Sequence, residues 1–222
     1  MTIDIRRAAD RYLTEGDGKR TWHSFSYGAH YDPGNIGFGP IRAINVEHLE
    51  PGAGYGAHRH SDVEIVTWVL QGALRHTDTA GGGGVIRPGT AQRLSAGDGA
   101  EHSEVNDSNS EALVFVQMML ASERIGEPQY ASADVPERTG ALLPAVDVHA
   151  SARLSVLRLA AEERVLVPAA PRSLVHVTHG AVLLRDTLLY EGDEARLTDA
   201  GPYDLGAAGS LGGEVLVWQL ES

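Results

Sequence analysis

The apolar residues of this chain come in short runs, and each run ends on a turn former. "EIVTWVL" (Glu64–Leu70), "ALVFVQMML" (Ala112–Leu120), "RLSVLRLA" (Arg153–Ala160) and "EVLVWQL" (Glu214–Leu220) are separated by Gly, Pro, Asp and Asn. Runs of this length suit strands, and none approaches the ~18 apolar residues that a membrane-spanning helix needs. Twenty-six glycines supply tight turns. The pattern predicts an all-β chain of many short strands, folded as sandwich or barrel. Only the first dozen residues, "MTIDIRRAADRY", suggest helix.

A repeat divides the chain. "VTWVLQGALRH" (Val66–His76) resembles "LVHVTHGAVLL" (Leu174–Leu184), with Gly72 matching Gly180. "PGTAQRLSAG" (Pro88–Gly97) resembles "EGDEARLTDAG" (Glu191–Gly201), and "LVFVQM" resembles "VLVWQL", aligning Gln117 with Gln219. Three matches in the same order predict two related β-domains. The segment 126–147, rich in Pro, Ala and polar residues, reads as a linker between a domain over 1–125 and one over 148–222.

The chain has no cysteine, so disulfides, thiolate zinc sites and cysteine nucleophiles are excluded. Any metal must sit on histidine and carboxylate. A net charge of −12, with scattered basic residues, argues against direct nucleic-acid binding. No apolar stretch follows the arginines of the N-terminus, so no secretory signal is read there. A cytoplasmic monomer with no membrane segment is expected.

Side chains on a strand alternate faces, so His58 and His60 of "GAHRHSDVE" project together. "GDGAEHSEVND" offers His102 and Glu104 at the same spacing. An isolated His-x-His is more often incidental than a ligand pair; a second pair in the same half favours a site. Three imidazoles and a carboxylate suit one divalent transition metal, with Fe(II), Ni(II), Mn(II) or Zn(II) all open. Four protein ligands leave two octahedral positions, which suits Fe(II) and dioxygen chemistry, whereas a closed four-ligand zinc site would be structural. Glu64 shares the parity of His58 and His60, but Ser61 and Asp62 can bend the strand between. It reads as a ligand or as a residue that orients a ligating histidine. His23, His30, His48, His76 and His149 read as surface or hydrogen-bonded histidines. His176 and His179, three apart, face opposite ways. "AGGGGV" (Ala80–Val85) reads as a hairpin and not a phosphate loop.

These residues resemble the cupin motifs. "GAGYGAHRHSDVEIVTWVLQG" (Gly52–Gly72) matches the first motif, and "GDGAEHSEVN", with Gly99, His102 and Asn106, matches the second. Glu64 to Gly72 is one residue longer than in most cupins, and Gly97 stands where many have proline. Pirins share both departures, and "TWHSFSYGAHYDPGNIGFGPIRAINVEHL" (Thr21–Leu49) is similar to their bacterial branch. The resemblance is strong from about Trp22 to Asn106. It implies a bicupin, two small β-barrel or jelly-roll domains, with the metal site in the first only. It implies His58, His60, His102 and Glu104 as ligands, which tilts Glu64 towards the orienting role.

The resemblance also implies two functions. One is a quercetin 2,3-dioxygenase-like enzyme opening flavonol-type substrates with dioxygen. Its cofactor would be Fe(II) in the first place, with Ni, Mn, Zn or Cu as alternatives, and Glu104 would assist as base. The other is a metal-containing, redox-sensitive regulatory protein that binds a protein partner without physiological catalysis.

Overall fold

The computed structural model describes residues 1–221. It is a chain of strands with one 3-10 turn, Ala8–Asp10, and no α-helix among the described residues. The first strands are β1 (Thr2–Arg6), β2 (Tyr12–Gly16), β3 (Lys19–His23), β4 (Ile41–Leu49), β5 (Gly54–His60) and β6 (Val63–Gln71). Then come β7 (Leu74–Asp78), β8 (Gly83–Ile86), β9 (Thr90–Ser95), β10 (Ala100–Asn106), β11 (Leu113–Ala121) and β12 (Gln129–Asp134). The remainder are β13 (Ala141–Pro144), β14 (Ala152–Leu159), β15 (Arg164–Val167) and β16 (Ala170–Leu184). They are followed by β17 (Thr187–Tyr190), β18 (Glu194–Ala200), β19 (Tyr203–Ala207) and β20 (Gly213–Leu220).

The strands form two compact units, one of Arg11–Asp134 with Val148–Ala150, the other of Met1–Asp10, Val135–Asp147 and the residues from Ser151 onward. This departs from the expected division in two places. The N-terminal residues expected as helix form β1, which pairs with β18 of the second unit. Ile3 and Ile5 alternate with polar residues and pack on that unit's core, while Arg7 and the Ala8 amide bind Asp193 at 2.7 and 2.8 Å. The segment 126–147, expected to be a bare linker, contributes β12 to β9 in the first unit and β13 to β14 in the second. Edge strands are held through backbone hydrogen bonds, so such a segment needs no apolar pattern.

In the first unit a seven-stranded sheet, ordered β12-β9-β6-β11-β4-β3-β2, accompanies a four-stranded one, β5-β10-β7-β8. Leu49, Val69, Leu113 and Phe115 of the larger sheet pack with Leu74 and Ile86 of the smaller. The second unit repeats the plan: β18-β16-β20-β14 corresponds to β9-β6-β11-β4, and β15-β19-β16-β17 to β5-β10-β7-β8. This is the jelly-roll pair expected.

Strand register makes the repeat quantitative. Between β6 and β11 the register slips at Leu70, because Val114 faces Gln71 and Phe115 faces Val69. Between β16 and β20 it slips at Thr178 in the same way. Each bulge lies two residues before the matched glycine, Gly72 or Gly180. Both glycines have positive φ, and a Cβ there would lie 2.7 or 2.5 Å from the carbonyl of Ala112 or Gly212. The residue by which this chain exceeds most cupins is therefore taken up as a bulge. Gly97 has φ of 51° and a Cβ would strike the Gly126 carbonyl, so proline has no place there. One match needs correcting: the bulges equate Phe115 with Val215, hence Gln117 with Val217 and not Gln219. A shift of two keeps every side chain on its face, so apolar patterning cannot detect it.

Candidate metal centre

On β10 every second residue is buried, which turns Ala100, His102, Glu104 and Asn106 inward. His102 faces His58 across the β5–β10 ladder, but Glu104 faces Tyr55, because the register shifts between them. The extra residue at Gly56–Ala57 is a bulge. It lets Tyr55 and His58, an odd number apart, both stand opposite inward-facing residues. The same bend brings the Gly56 carbonyl to 2.8 Å from His58 Nδ1. A carbonyl only accepts, so Nδ1 carries the proton and Nε2 is left as the ligand atom.

The rings of His58, His60 and His102 lie 4.4 to 5.1 Å apart between centroids. Their ligand atoms fall within 4.8 Å of one another, as an ion held by all three would require. Glu104 belongs to a second, overlapping triad with His102 and His76. His102 is common to both. Each of the four residues expected as ligands is therefore at the site, three in one cluster and Glu104 joined to it through His102.

The donor set fits a divalent ion for a reason internal to the fold. His60 Nε2, both ring nitrogens of His102 and Glu104 Oε1 are buried without a hydrogen-bond partner. Buried polar atoms are ordinarily satisfied, and an ion held here would complete Glu104 Oε1 and one nitrogen of each ring. Burial, and then neighbouring His58, His60 and His76, depress the His102 imidazole to about 3. Burial, and then His58, lower His60 as well. Both rings are thus neutral and have lone pairs to offer. Burial pushes the Glu104 carboxyl up to about 7, against the hydrogen bond that Gln117 Nε2 donates to Oε2 at 2.6 Å. A cation beside Oε1 would restore its ionised form.

His76 corrects the sequence reading. It is hydrogen-bonded, through Nε2 to Asp78 Oδ2 at 2.8 Å, but it also stands beside the centre, its Nδ1 4.0 Å from Glu104 Oε1. The signal was there: His76 and Asp78 have the same i, i+2 spacing as the other pairs. Asp78 is locked by the amides of Ala80 and Gly82, so the imidazole is held in a fixed orientation.

Glu64 is neither ligand nor orienter. Asp62, at φ of 59°, breaks the strand after His60, and β6 continues in the other sheet. Fully buried, Glu64 accepts from Ser95 Oγ at 2.6 Å, Ser122 Oγ at 2.5 Å and the His149 amide at 3.2 Å. It ties β6, β9 and the segment Val148–Ala150 together. Glu64→Ala should cost about 3 kcal/mol by stranding buried donors, read as a lower melting temperature with metal stoichiometry unchanged.

A cavity of about 540 Å³ opens on this centre, lined by His58, His60 and Glu104 and by residues of β3 and β4. His23, expected to be a hydrogen-bonded histidine, is one: it bonds Asn45 Oδ1 and Thr14 Oγ1, both at 2.9 Å, in the cavity wall. Glu47 and Tyr55, not singled out from sequence, line the cavity too.

The corresponding positions of the second unit carry other residues. Register equates His58 with Val167, His102 with Tyr203, Glu104 with Leu205, His76 with Leu184 and Glu47 with Leu157. All five replacements belong to one buried apolar cluster. Its interior is packed where the first unit's is polar. His176, buried against Glu194, and His179, exposed beside Glu191, face different surroundings as expected.

A sequence model of the pirin family matches residues 6–120. A Mycobacterium tuberculosis (strain H37Rv) protein provisionally named a quercetin 2,3-dioxygenase is 41% identical over 236 residues, covering 100% of this chain and 96% of its own. The quercetin 2,3-dioxygenase of Escherichia coli K12 is 39% identical over 58% of this chain and 56% of its own. Among solved structures, the nickel(II) complex of the Escherichia coli pirin YhhW superposes with a TM-score of 0.91 at 29% identity, covering 99% of both chains. With a relative matched end to end and the family's sequence pattern spanning over half its length, the chain belongs to the pirin family.

Proposed function

We propose that this protein is a metal-dependent dioxygenase of flavonol-like aromatic compounds. The reading rests on one observation above the rest: unpartnered buried ligand atoms of His60 and Glu104 belong to residues lining a cavity of small-molecule size, with the unpartnered ring of His102 clustered beside them. His58, His60, His102 and Glu104 would hold one divalent ion. Fe(II) is favoured for its use of dioxygen, and the nickel(II) complex of the Escherichia coli relative supports Ni(II) as an alternative.

When bound, such an ion supplies Lewis acidity that lowers the pKa of a coordinated substrate hydroxyl. The protein's part is proton handling and orientation. Glu104 would serve as base for the hydroxyl proton when its Oε1 is released from the ion, while Gln117 anchors Oε2. The Gly56 carbonyl keeps His58 in one tautomer. Apolar side chains such as Met119 in the cavity wall shield the ring system from water. The homologues' names support a flavonol and dioxygen as co-substrates.

Metal-loaded protein incubated with quercetin should bleach the flavonol absorbance in air and leave it intact without oxygen. Absence of oxygen-dependent loss with Fe(II), Ni(II), Mn(II), Zn(II) and Cu(II) alike would leave the regulatory reading, a metal-containing binding protein whose second barrel serves contacts only.

A further inference from the structure

The cavity wall carries a second carboxylate that the chemistry above does not use. Glu47 projects from β4 of the seven-stranded sheet, whereas the histidines come from the four-stranded one. Only 3% of it is exposed. Its Oε2 is saturated, accepting from Thr21 Oγ1 at 2.6 Å and Tyr55 Oη at 2.8 Å. Those two hydroxyls lie 3.2 Å apart, each with its proton directed at the carboxylate. Among the described residues its Oε1 has no hydrogen-bond donor, and the residue lines the cavity. Lys19 lies over the Tyr55 ring at 5.5 Å and shares the wall, so its positive charge opposes the effect of burial on the Glu47 carboxyl. The fold thus devotes two hydroxyl donors and a cation to one buried carboxylate in the cavity wall, both hydroxyls falling on a single oxygen. Packing alone would not need this, since the corresponding position of the second barrel is Leu157, within an apolar cluster.

We propose that Glu47 is a specificity-determining residue of this cavity, its Oε1 accepting a hydrogen bond from a second hydroxyl of the ligand, distinct from the one presented to the metal centre. The ligand class is therefore a polyhydroxylated aromatic, and not any aromatic with a single chelating hydroxyl. This rests on the flavonol reading for the identity of the ligand, but not on turnover.

A buried hydrogen bond to a charged acceptor amounts to about a tenfold preference or more. The experiment is an anaerobic titration of metal-loaded protein with quercetin, with its O-methylated analogues, and with a flavonol retaining only the hydroxyl beside the carbonyl. Wild type should bind quercetin at least about tenfold tighter than the stripped flavonol or the analogue methylated at the Glu47-facing hydroxyl. In Glu47→Gln, the hydroxyls of Thr21 and Tyr55 claim the amide oxygen, so an NH₂ donor faces the ligand. That variant should lose the preference for hydroxyl and gain affinity for the methyl ether, with its metal content unchanged. The wild-type series tests the idea even if the variant folds poorly.

Equal affinities across the wild-type series, or a preference unmoved in Glu47→Gln, would overturn the assignment while leaving oxygenation untouched. Discrimination without oxygen-dependent turnover upholds Glu47 and removes the dioxygenase reading. Failure of every flavonol to bind metal-loaded wild type overturns both.

Discussion

Replacing His102 with alanine is expected to lower divalent-metal affinity by more than about 100-fold, measured by competition with a chromophoric chelator. The size follows from its place in the fold. His102 is buried, shared by both triads, and neither ring nitrogen has a protein partner. Its loss dismantles either arrangement. His76→Ala removes a member of one triad only, and His76 is already committed to Asp78, so a smaller loss is expected. The metal-free His102→Ala protein should melt no lower than metal-free wild type, because the substitution removes two unsatisfied buried polar atoms at the expense of a small void. Equal losses for His76→Ala and His102→Ala would refute the central role given to His102.

The second large effect is in pH. His102 binds a proton below about 6.5 when unfolded but only below about 3 when folded. The unfolded state therefore holds more protons in that window, and stability falls as pH drops from 6.5 to 3. The shift corresponds to roughly 5 kcal/mol at most. His60 and His76 are lowered by burial and act in the same sense. Glu104 acts in the opposite sense. Its folded value of about 7 exceeds the ordinary 4.5, so its contribution is complete below pH 4.5 and is lost as pH rises through 7. Below pH 4.5 the histidines still change, and Asp193, held low against its burial by the Ala8 and Tyr190 amides and Arg7, acts in the same sense, so urea unfolding of metal-free protein should show stability falling steeply there. Bound metal needs neutral imidazoles and an ionised Glu104, so the stability gap between loaded and metal-free protein should widen as pH rises from 4.5 through 7. A gap independent of pH over that range would exclude Glu104 from the site.

Both predictions turn on residues that strand alternation alone singled out. The clustering of His58, His60, His102 and Glu104 was legible because candidate ligand pairs at i, i+2 are local facts of a pleated strand. The same rule applied to His76 and Asp78 would have found the fifth member. Glu64 was misjudged because parity carries only as far as the strand does, and the left-handed Asp62 ends it. Glu47 and Tyr55 gave no signal, since their hydrogen bond joins β4 to β5, strands of different sheets.

The strand and turn pattern, the two-unit repeat and the paired candidate ligands were determined by the sequence itself, because periodicity and turn chemistry act over a few residues. Tertiary structure alone decided that β1 pairs in the second unit and β12 in the first, since backbone pairing leaves little trace in side chains. It also decided that a bulge at Gly56–Ala57 turns Tyr55 and His58 to one face, and that apolar residues fill the second barrel where the first has histidines. Those outcomes depend on register between distant strands, and a shift of one residue reverses which side chain meets which.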